Sequence, residues 1–368
     1  MKTQRIRTGW VALSAVLGLG CTGELHGPGS AGAPANPGGQ GGSDGLPGGG
    51  SSSIAGTGST SELPTFVAPA GMLRRLTRAQ FKNALFDLLG VEVDATQLDQ
   101  DSYTGNFAVI GASTVVTSQT GVEQYQAAVE SAVASVMADA TKRMQLVGCA
   151  PSNGADACIR AYLSSLGRRA WRRPLESAEM DRLAGIADSA STALGSTTEG
   201  LRWATVALLT SPHFLYRPEL GAAAQDGTLK LTAYETASRL AFLIWNSLPD
   251  AALLDAAANG QLGTAEGVRS SVERLLDAPA GRAAIGNFAE EYLRLDRVLS
   301  QAKDSQAFPA YGPALQAGMV RDMRGTWETL AFDDRASALE LFSTPKVVVN
   351  AELAKLYGLD PTGLSSTT

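Results

Sequence analysis

The chain lacks the short motifs by which most enzymes and cofactor proteins are identified. It has two histidines and three cysteines in 368 residues. No P-loop, Rossmann glycine fingerprint, nucleophile elbow or CxxCH haem sequence occurs in it. His213 is the only histidine after the first 70 residues, and so few nitrogen and sulfur ligands argue against a zinc site. The sequence therefore predicts no cofactor and no metal, and it leaves open whether the chain is an enzyme.

Long apolar runs are also scarce, and the one near the N-terminus has the features of a secretory signal. Residues 10–19 are apolar but fewer than the ~20 that a bilayer-spanning helix needs, and no later segment resembles such a helix. A basic region precedes this stretch, and Gly20-Cys21 follows it directly. This order predicts a signal peptide over residues 1–21 whose Cys21 accepts lipid. The alternatives are ordinary cleavage or an uncleaved signal, because Gly18 stands where lipoproteins prefer leucine.

Large apolar side chains are rare again in residues 22–69, which consist mainly of Gly, Ser, Pro and Ala. Such a segment cannot bury enough surface to offset its ordering entropy, so we expect a disordered linker. A coil of about 45 such residues spans roughly 35–40 Å. Signal, lipid and linker together predict an extracytoplasmic, membrane-anchored protein at the outer membrane or facing the periplasm. The net charge of −6 argues against nucleic acid as a partner.

Two cysteines remain if Cys21 carries lipid. Cys149 and Cys158 flank a turn-rich loop with the sequence APSNGADA. In an oxidising compartment this arrangement predicts a local disulfide. A redox or metal pair is the weaker interpretation, because the spacing is not CxxC and no histidine lies nearby.

Helical patterns cover almost all of the remaining chain, which predicts an all-α, multi-helix fold. Capping boxes at residues 77–80 and 232–235 mark two helix starts. One long helix is expected over residues 122–147, whereas residues 99–120 are expected to form a loop or a small β element. No repeat of fixed length occurs, which argues against a solenoid.

The sequence RRAWRRP contains the densest cluster of charge. On a helix, Arg168 and Arg172 would share one face and Arg169 and Arg173 the adjacent one, with Trp171 between them. Guanidinium groups suit carboxylate, phosphate or sulfate, and a tryptophan ring can stack on a sugar. The cluster is therefore a candidate anion or glycan site. The alternative is pairing of the arginines with acidic residues of neighbouring helices around a core tryptophan.

Three more polar residues are candidates for ligand binding. His213 is the base that a Ser-His-Asp site would need, although a lone histidine beside a helix-ending proline is more often a packing residue. Asp99 and Asp101 lie in a predicted loop, and paired carboxylates can hydrolyse glycosides. The same pair could equally be a solvated loop surface. A hydrolase would require this loop and the arginine cluster to line one cleft.

Several segments resemble a bacterial envelope family, of planctomycete and myxobacterial type, that carries domain-of-unknown-function names. LRRLTRAQFKNALFDLLGV resembles its DUF1587 opening, RRAWRRPLESAE its DUF1595 signature, and LTAYETASRLAFLIWNSLPD its DUF1592 region. The resemblance implies an extracytoplasmic helical protein with regions at residues 70–148, 149–225 and 226–368. It also implies truncation before the DUF1588 and DUF1585 regions of larger members. One departure is Glu176, where the family usually has a Thr or Ser helix cap.

These features favour a non-enzymatic function. We expect a lipid-anchored binding module in an envelope assembly for electron transfer or polysaccharide handling. Some relatives are fused to c-type cytochrome domains, so the expected partners are an envelope protein such as a c-type cytochrome, or a glycan. The alternative is an enzyme, either an oxidoreductase component or a polysaccharide hydrolase. The resemblance supplies no catalytic residue.

Overall fold

The computed structural model describes residues 71–112, 117–154, 156–223 and 228–365. Cys21 and the signal and linker predicted over residues 1–69 lie outside these ranges. Within them helices predominate, and the strands form two small two-stranded sheets. The all-α class is confirmed. No helix in these ranges is both long enough and apolar enough to span a bilayer.

The first half of the described chain begins with a strand and continues mainly as helix. Its elements are β1 (Met72–Arg75), α1 (Arg78–Leu89), α2 (Ala108–Gly111), α3 (Gln119–Ala138), α4 (Ala140–Val147), α5 (Ala157–Ala170), α6 (Ser177–Leu194), α7 (Thr197–Leu209), α8 (Pro212–Leu215) and β2 (Tyr216–Glu219).

The second half adds a short hairpin and a further series of helices. Its elements are β3 (Ala222–Ala223), β4 (Leu229–Lys230), α9 (Ala233–Ile244), α10 (Ala251–Ala258), a 3-10 turn (Gln261–Gly263), α11 (Ala265–Asp277), α12 (Pro279–Leu293), α13 (Asp296–Ser300), α14 (Pro313–Glu328), a π-helical turn (Thr329–Asp333), a second 3-10 turn (Ala338–Phe342) and α15 (Ala351–Tyr357).

Local side chains set many of these boundaries. The hydroxyl of Thr77 accepts a hydrogen bond from the Gln80 backbone N–H, and the Gln80 side chain accepts one from the Thr77 N–H, each at 3.2 Å. Thr232 and Glu235 form the same reciprocal pair at the start of α9. Both predicted capping boxes are therefore present. Glu176 is the N-cap of α6, and its N–H donates to the Glu179 carboxylate at 2.8 Å.

The prediction of one helix over residues 122–147 is wrong. Asp139 has extended backbone (φ −87°, ψ 112°), so α3 ends there and α4 begins. Its carboxylate accepts hydrogen bonds from the backbone N–H groups of Thr141 at 2.9 Å and Lys142 at 3.0 Å. An aspartate stabilises a helix start in this way, and here the local bonds prevail over a continuous apolar pattern.

Two groups of buried side chains form the core. The larger one joins α1, α3, α5, α6 and α7 and includes Phe81, Val133 and Leu163, all at 0% exposure. It draws on residues both before and after position 149, so the first two predicted regions share one core. The smaller group lies between α9, α10 and α11 and includes Ala241 and Leu275.

A long-range strand pair and a local disulfide tie parts of the fold together. Strand β1 pairs antiparallel with β2, which places Leu73 opposite Pro218 and Arg75 opposite Tyr216. The start of the described chain is thereby fixed beside the segment that follows α8. Cys149 and Cys158 form a disulfide with a Cα–Cα distance of 5.9 Å, which confirms the predicted pairing.

Candidate binding clefts

The RRAWRRP segment lies at the end of α5, and its side chains diverge into different surroundings. Helix α5 ends at Ala170, and Arg172 has a left-handed backbone conformation with φ 60°. The prediction that Arg168 and Arg172 share one helical face is therefore wrong, because the helix ends before Arg172. Each arginine has to be considered by its own contacts.

Arg172 is a buried structural cation, with 2% of its surface exposed. Its guanidinium donates hydrogen bonds to the carbonyl oxygens of Ala170, Phe214, His213 and Tyr216, at 2.6–3.3 Å. Burial, and then the nearby charges of two other arginines, lowers the pKa of Arg172 to about 9, which leaves it charged at neutral pH. The side chain holds the segment between α8 and β2 in place.

Trp171, Arg173, Glu179 and His213 form a connected group beside Arg172. Arg173 makes a two-pronged ion pair with Glu179, at 2.7 and 2.8 Å. The imidazole of His213 packs on Trp171 with ring centroids 4.6 Å apart, and its Nε2 lies 3.6 Å from Glu179 Oε1. The Arg173 bonds lower the pKa of Glu179 to about 2. Burial, and then the charge of Arg173, lowers the pKa of His213.

This group opens onto a cavity of about 610 Å³, here called the Trp171 cleft. Three separated segments line it: Trp171 and Arg173 after α5, His213 to Leu220 around β2, and Tyr234 to Ser238 on α9, with Leu73 of β1 at the edge. Most of this lining is apolar or aromatic. Such a cavity, with few polar groups and shifted pKa values nearby, is typical of a binding site.

Ser238 is the polar residue of the cleft that has no partner. It is 5% exposed, and its Oγ makes no hydrogen bond with any described residue. A Ser-His-acid triad needs a hydrogen bond between the serine and the histidine. His213 and Glu179 are neighbours, but the bond from Ser238 to His213 is missing, so the described geometry does not form a triad.

Arg168 and Arg169 point away from the Trp171 cleft. Arg168 pairs with Asp255 of α10 at 2.5 Å, which is the inter-helix pairing considered as the alternative. Arg169 donates to the carbonyl oxygen of Asp87 and lines a different cavity. The structure therefore divides the arginine cluster between two clefts and a surface ion pair.

Asp99 and Asp101 have their own contacts at the start of α1. Asp101 accepts hydrogen bonds from Arg75 at 3.1 Å and from the Arg78 N–H at 2.9 Å, and burial raises its pKa. Asp99 accepts a hydrogen bond from Ser118 at 3.1 Å. Neither carboxylate is among the residues that line the Trp171 cleft. The condition set for a hydrolase, one cleft for this loop and the arginine cluster, is not met by these contacts.

Sequence reasoning missed the apolar residues of the cleft. Leu73, Tyr216 and Tyr234 come from three separate elements and carry no motif of a binding site. The available signals were indirect: the capping box that fixes the start of α9, and the family segments that contain these residues. In the described part of the chain, no group of three or more His, Cys, Asp or Glu side chains is arranged to hold a metal ion.

Three family models match the chain, each described as a protein of unknown function. DUF1587 matches residues 74–138, DUF1595 residues 158–219 and DUF1592 residues 231–359. The chain belongs to this DUF1592-type family. No curated protein and no solved structure matches it. In this DUF1592-type protein, the Trp171 cleft combines residues of the DUF1595 and DUF1592 matches, and Leu73 directly precedes the DUF1587 match.

Proposed function

We propose that this DUF1592-type protein is a lipid-anchored, extracytoplasmic interaction module. It holds an apolar segment of an envelope partner protein in the Trp171 cleft. The observation that carries the proposal is an open, largely apolar cavity of about 610 Å³ that is shared by three separate segments of the chain.

The exposed side chains at the edge of the cleft favour a protein as the partner. Leu73 is 58% exposed and Leu220 is 52% exposed, and both line the cavity. Exposed apolar side chains that continue into a cavity are typical of protein interaction sites. A partner that covers these leucines would gain their apolar surface in addition to that of the cavity.

The charged groups of the cleft are already paired, which favours an uncharged segment as the ligand. The hydrogen bonds of Arg172 go to carbonyl oxygens, and Arg173 is paired with Glu179. The Glu235 carboxylate, which also lines the cleft, accepts hydrogen bonds from three backbone N–H groups. Separating these groups to bind a charged ligand would cost free energy. The half-exposed imidazole of His213 is suited to hydrogen bonds with the main chain of a bound segment.

The disulfide supports an extracytoplasmic location. Bonds such as Cys149–Cys158 form and persist mainly in oxidising compartments. The predicted signal and Cys21 would then attach the folded part to a membrane through the linker. A partner in the same envelope is within reach of such a tethered module.

Site-specific photo-cross-linking in native cells tests this proposal. A photoreactive phenylalanine analogue placed at Leu220 of the full chain should capture a specific envelope protein, identified by mass spectrometry. The control position is Leu243, which is 73% exposed on α9 and does not line the cleft. A c-type cytochrome among the captured proteins would support the electron-transfer form of the proposal.

The proposal fails if Leu220 captures no envelope protein, or if Leu243 captures the same proteins equally well. A Tyr234→Ala variant adds a second measurement, because it removes an apolar wall of the cleft. It should reduce the yield of the Leu220 adduct while the far-ultraviolet circular dichroism stays that of the parent chain. A modest fall in melting temperature is expected, because Tyr234 also packs against the smaller core group.

A further inference from the structure

A second cleft, of about 690 Å³, lies between α1, the end of α5 and the start of α12. We call it the Trp245 cleft. Its aromatic side chains are Phe86 and Trp245, and its polar side chains include Asn83, Asp87 and Arg169. This composition differs from that of the Trp171 cleft, since basic, acidic, amide and hydroxyl side chains line it together with the two rings.

The charges that line the Trp245 cleft largely cancel. Lys82 pairs with Glu92 at 2.8 Å. Asp250 forms a two-pronged pair with Arg274, at 2.8 and 3.0 Å. Arg169 lies beside Asp87, whose carbonyl oxygen it contacts. A balanced lining of this kind favours a neutral ligand over a phosphate or a metal ion.

The polar groups offer both hydrogen-bond donors and acceptors. Arg169 has five N–H donors, and the structure gives it one hydrogen bond within the described residues. Asn83 donates to the Asn246 carbonyl oxygen at 3.1 Å, which leaves its own amide oxygen to accept. A sugar hydroxyl both donates and accepts, so planar carboxylate, amide and guanidinium groups can pair with it.

The aromatic rings supply the complementary apolar surface. Phe86 is 47% exposed on α1. Trp245 is held in place, because its Nε1 donates to the Leu275 carbonyl oxygen at 2.8 Å and Arg274 lies 5.8 Å from its ring centroid. A ring fixed before binding loses little entropy when the C–H face of a sugar packs on it.

From this geometry we infer that the Trp245 cleft binds a neutral oligosaccharide. The rings contact the sugar faces, and Asn83, Asp87 and Arg169 bond to the hydroxyl groups. The inference uses a different cavity and a different ligand class from the proposed function, so either can fail without the other.

Calorimetric titration of the detergent-solubilised full chain tests the inference. The neutral probes are cellotetraose, mannotetraose and xylotetraose, and the charged probes are tetragalacturonate and sodium phosphate. At least one neutral probe should bind at micromolar to millimolar concentration. Arg169→Gln and Phe86→Ala should each weaken that binding about tenfold or more.

Two matched controls separate the cleft from general surface effects. Arg160 lies on the same helix as Arg169 but pairs with Asp181, and Phe342 is 86% exposed outside the cleft. Arg160→Gln and Phe342→Ala should leave binding unchanged. The inference is overturned if no neutral probe binds at millimolar concentration, if tetragalacturonate or phosphate binds more tightly, or if both cleft variants bind like the parent.

Discussion

Arg172 illustrates how a charged residue can belong to the core rather than to a ligand site. Its guanidinium is surrounded by main-chain carbonyl oxygens and lies 5.7 Å from the ring centroid of Phe242. Arg217, also buried, lies 5.1 Å from the same centroid. Carbonyl dipoles and an aromatic face compensate part of the desolvation cost of such cations. Sequence position alone could not separate Arg172 from its exposed neighbours.

Replacing Arg172 should destabilise the fold much more than replacing Arg168. Arg172→Leu removes the donors of four carbonyl oxygens, so we expect a loss of about 3 kcal/mol or more in the free energy of unfolding. Arg168 pairs with Asp255 at the surface, so Arg168→Leu should cost less than about 1 kcal/mol. Urea denaturation of the two variants provides the comparison. Equal losses would contradict the structural role assigned to Arg172.

Glu179 should make stability depend on pH in the acidic range. Its pKa is lowered from 4.5 to about 2, chiefly by Arg173, and its side chain is 13% exposed. A lowered folded-state pKa contributes stability above pH 4.5, and that contribution is lost as pH falls towards 2. The free energy of unfolding of the parent should therefore exceed that of Glu179→Gln by about 2 kcal/mol at pH 6. This difference should close at low pH. A gap that does not change between pH 6 and 3 would argue against this ion pair.

At the scale of elements, sequence patterns predicted the helices better than their junctions. The capping residues Thr77 and Thr232 and the apolar periodicity placed most helices correctly. The break at Asp139 was missed, because a cap in mid-pattern resembles an exposed acidic residue. The Trp171 cleft could not be predicted, since its walls depend on the pairing of β1 with β2 and on the packing of α9.

Two glycines should respond to alanine with opposite signs. At Gly200 of α7, a Cβ atom would lie 2.5 Å from the carbonyl oxygen of Ala187 on α6, so Gly200→Ala should cost about 2 kcal/mol. At exposed Gly185 of α6, a Cβ atom meets nothing within 4 Å. Gly185→Ala should therefore stabilise the helix by about 0.5–1 kcal/mol. Thermal denaturation checks both, and a stabilising Gly200→Ala would show that α6 and α7 are less closely packed.

At the scale of the whole molecule, the matched family regions do not correspond to separate binding units. The Trp171 cleft combines residues of the DUF1595 and DUF1592 matches, and the Trp245 cleft combines Phe86 of the DUF1587 match with residues of the other two. Each cleft therefore requires the regions to fold together. An isolated region would expose these walls and lose the proposed binding.

Lipid on Cys21 should decide where this folded part resides. A diacylglycerol supplies two acyl chains, and two chains give stable anchoring where one gives only marginal binding. The full chain should therefore incorporate radiolabelled palmitate and sediment with membranes, whereas Cys21→Ser should do neither. The Cys149→Ser/Cys158→Ser double variant is the control and should still be labelled, because its cysteine after the signal is intact. An unlabelled parent chain would favour ordinary signal cleavage and require another explanation for any membrane attachment. Label on Cys21→Ser would contradict the assignment of the lipid to Cys21 and place it at another residue.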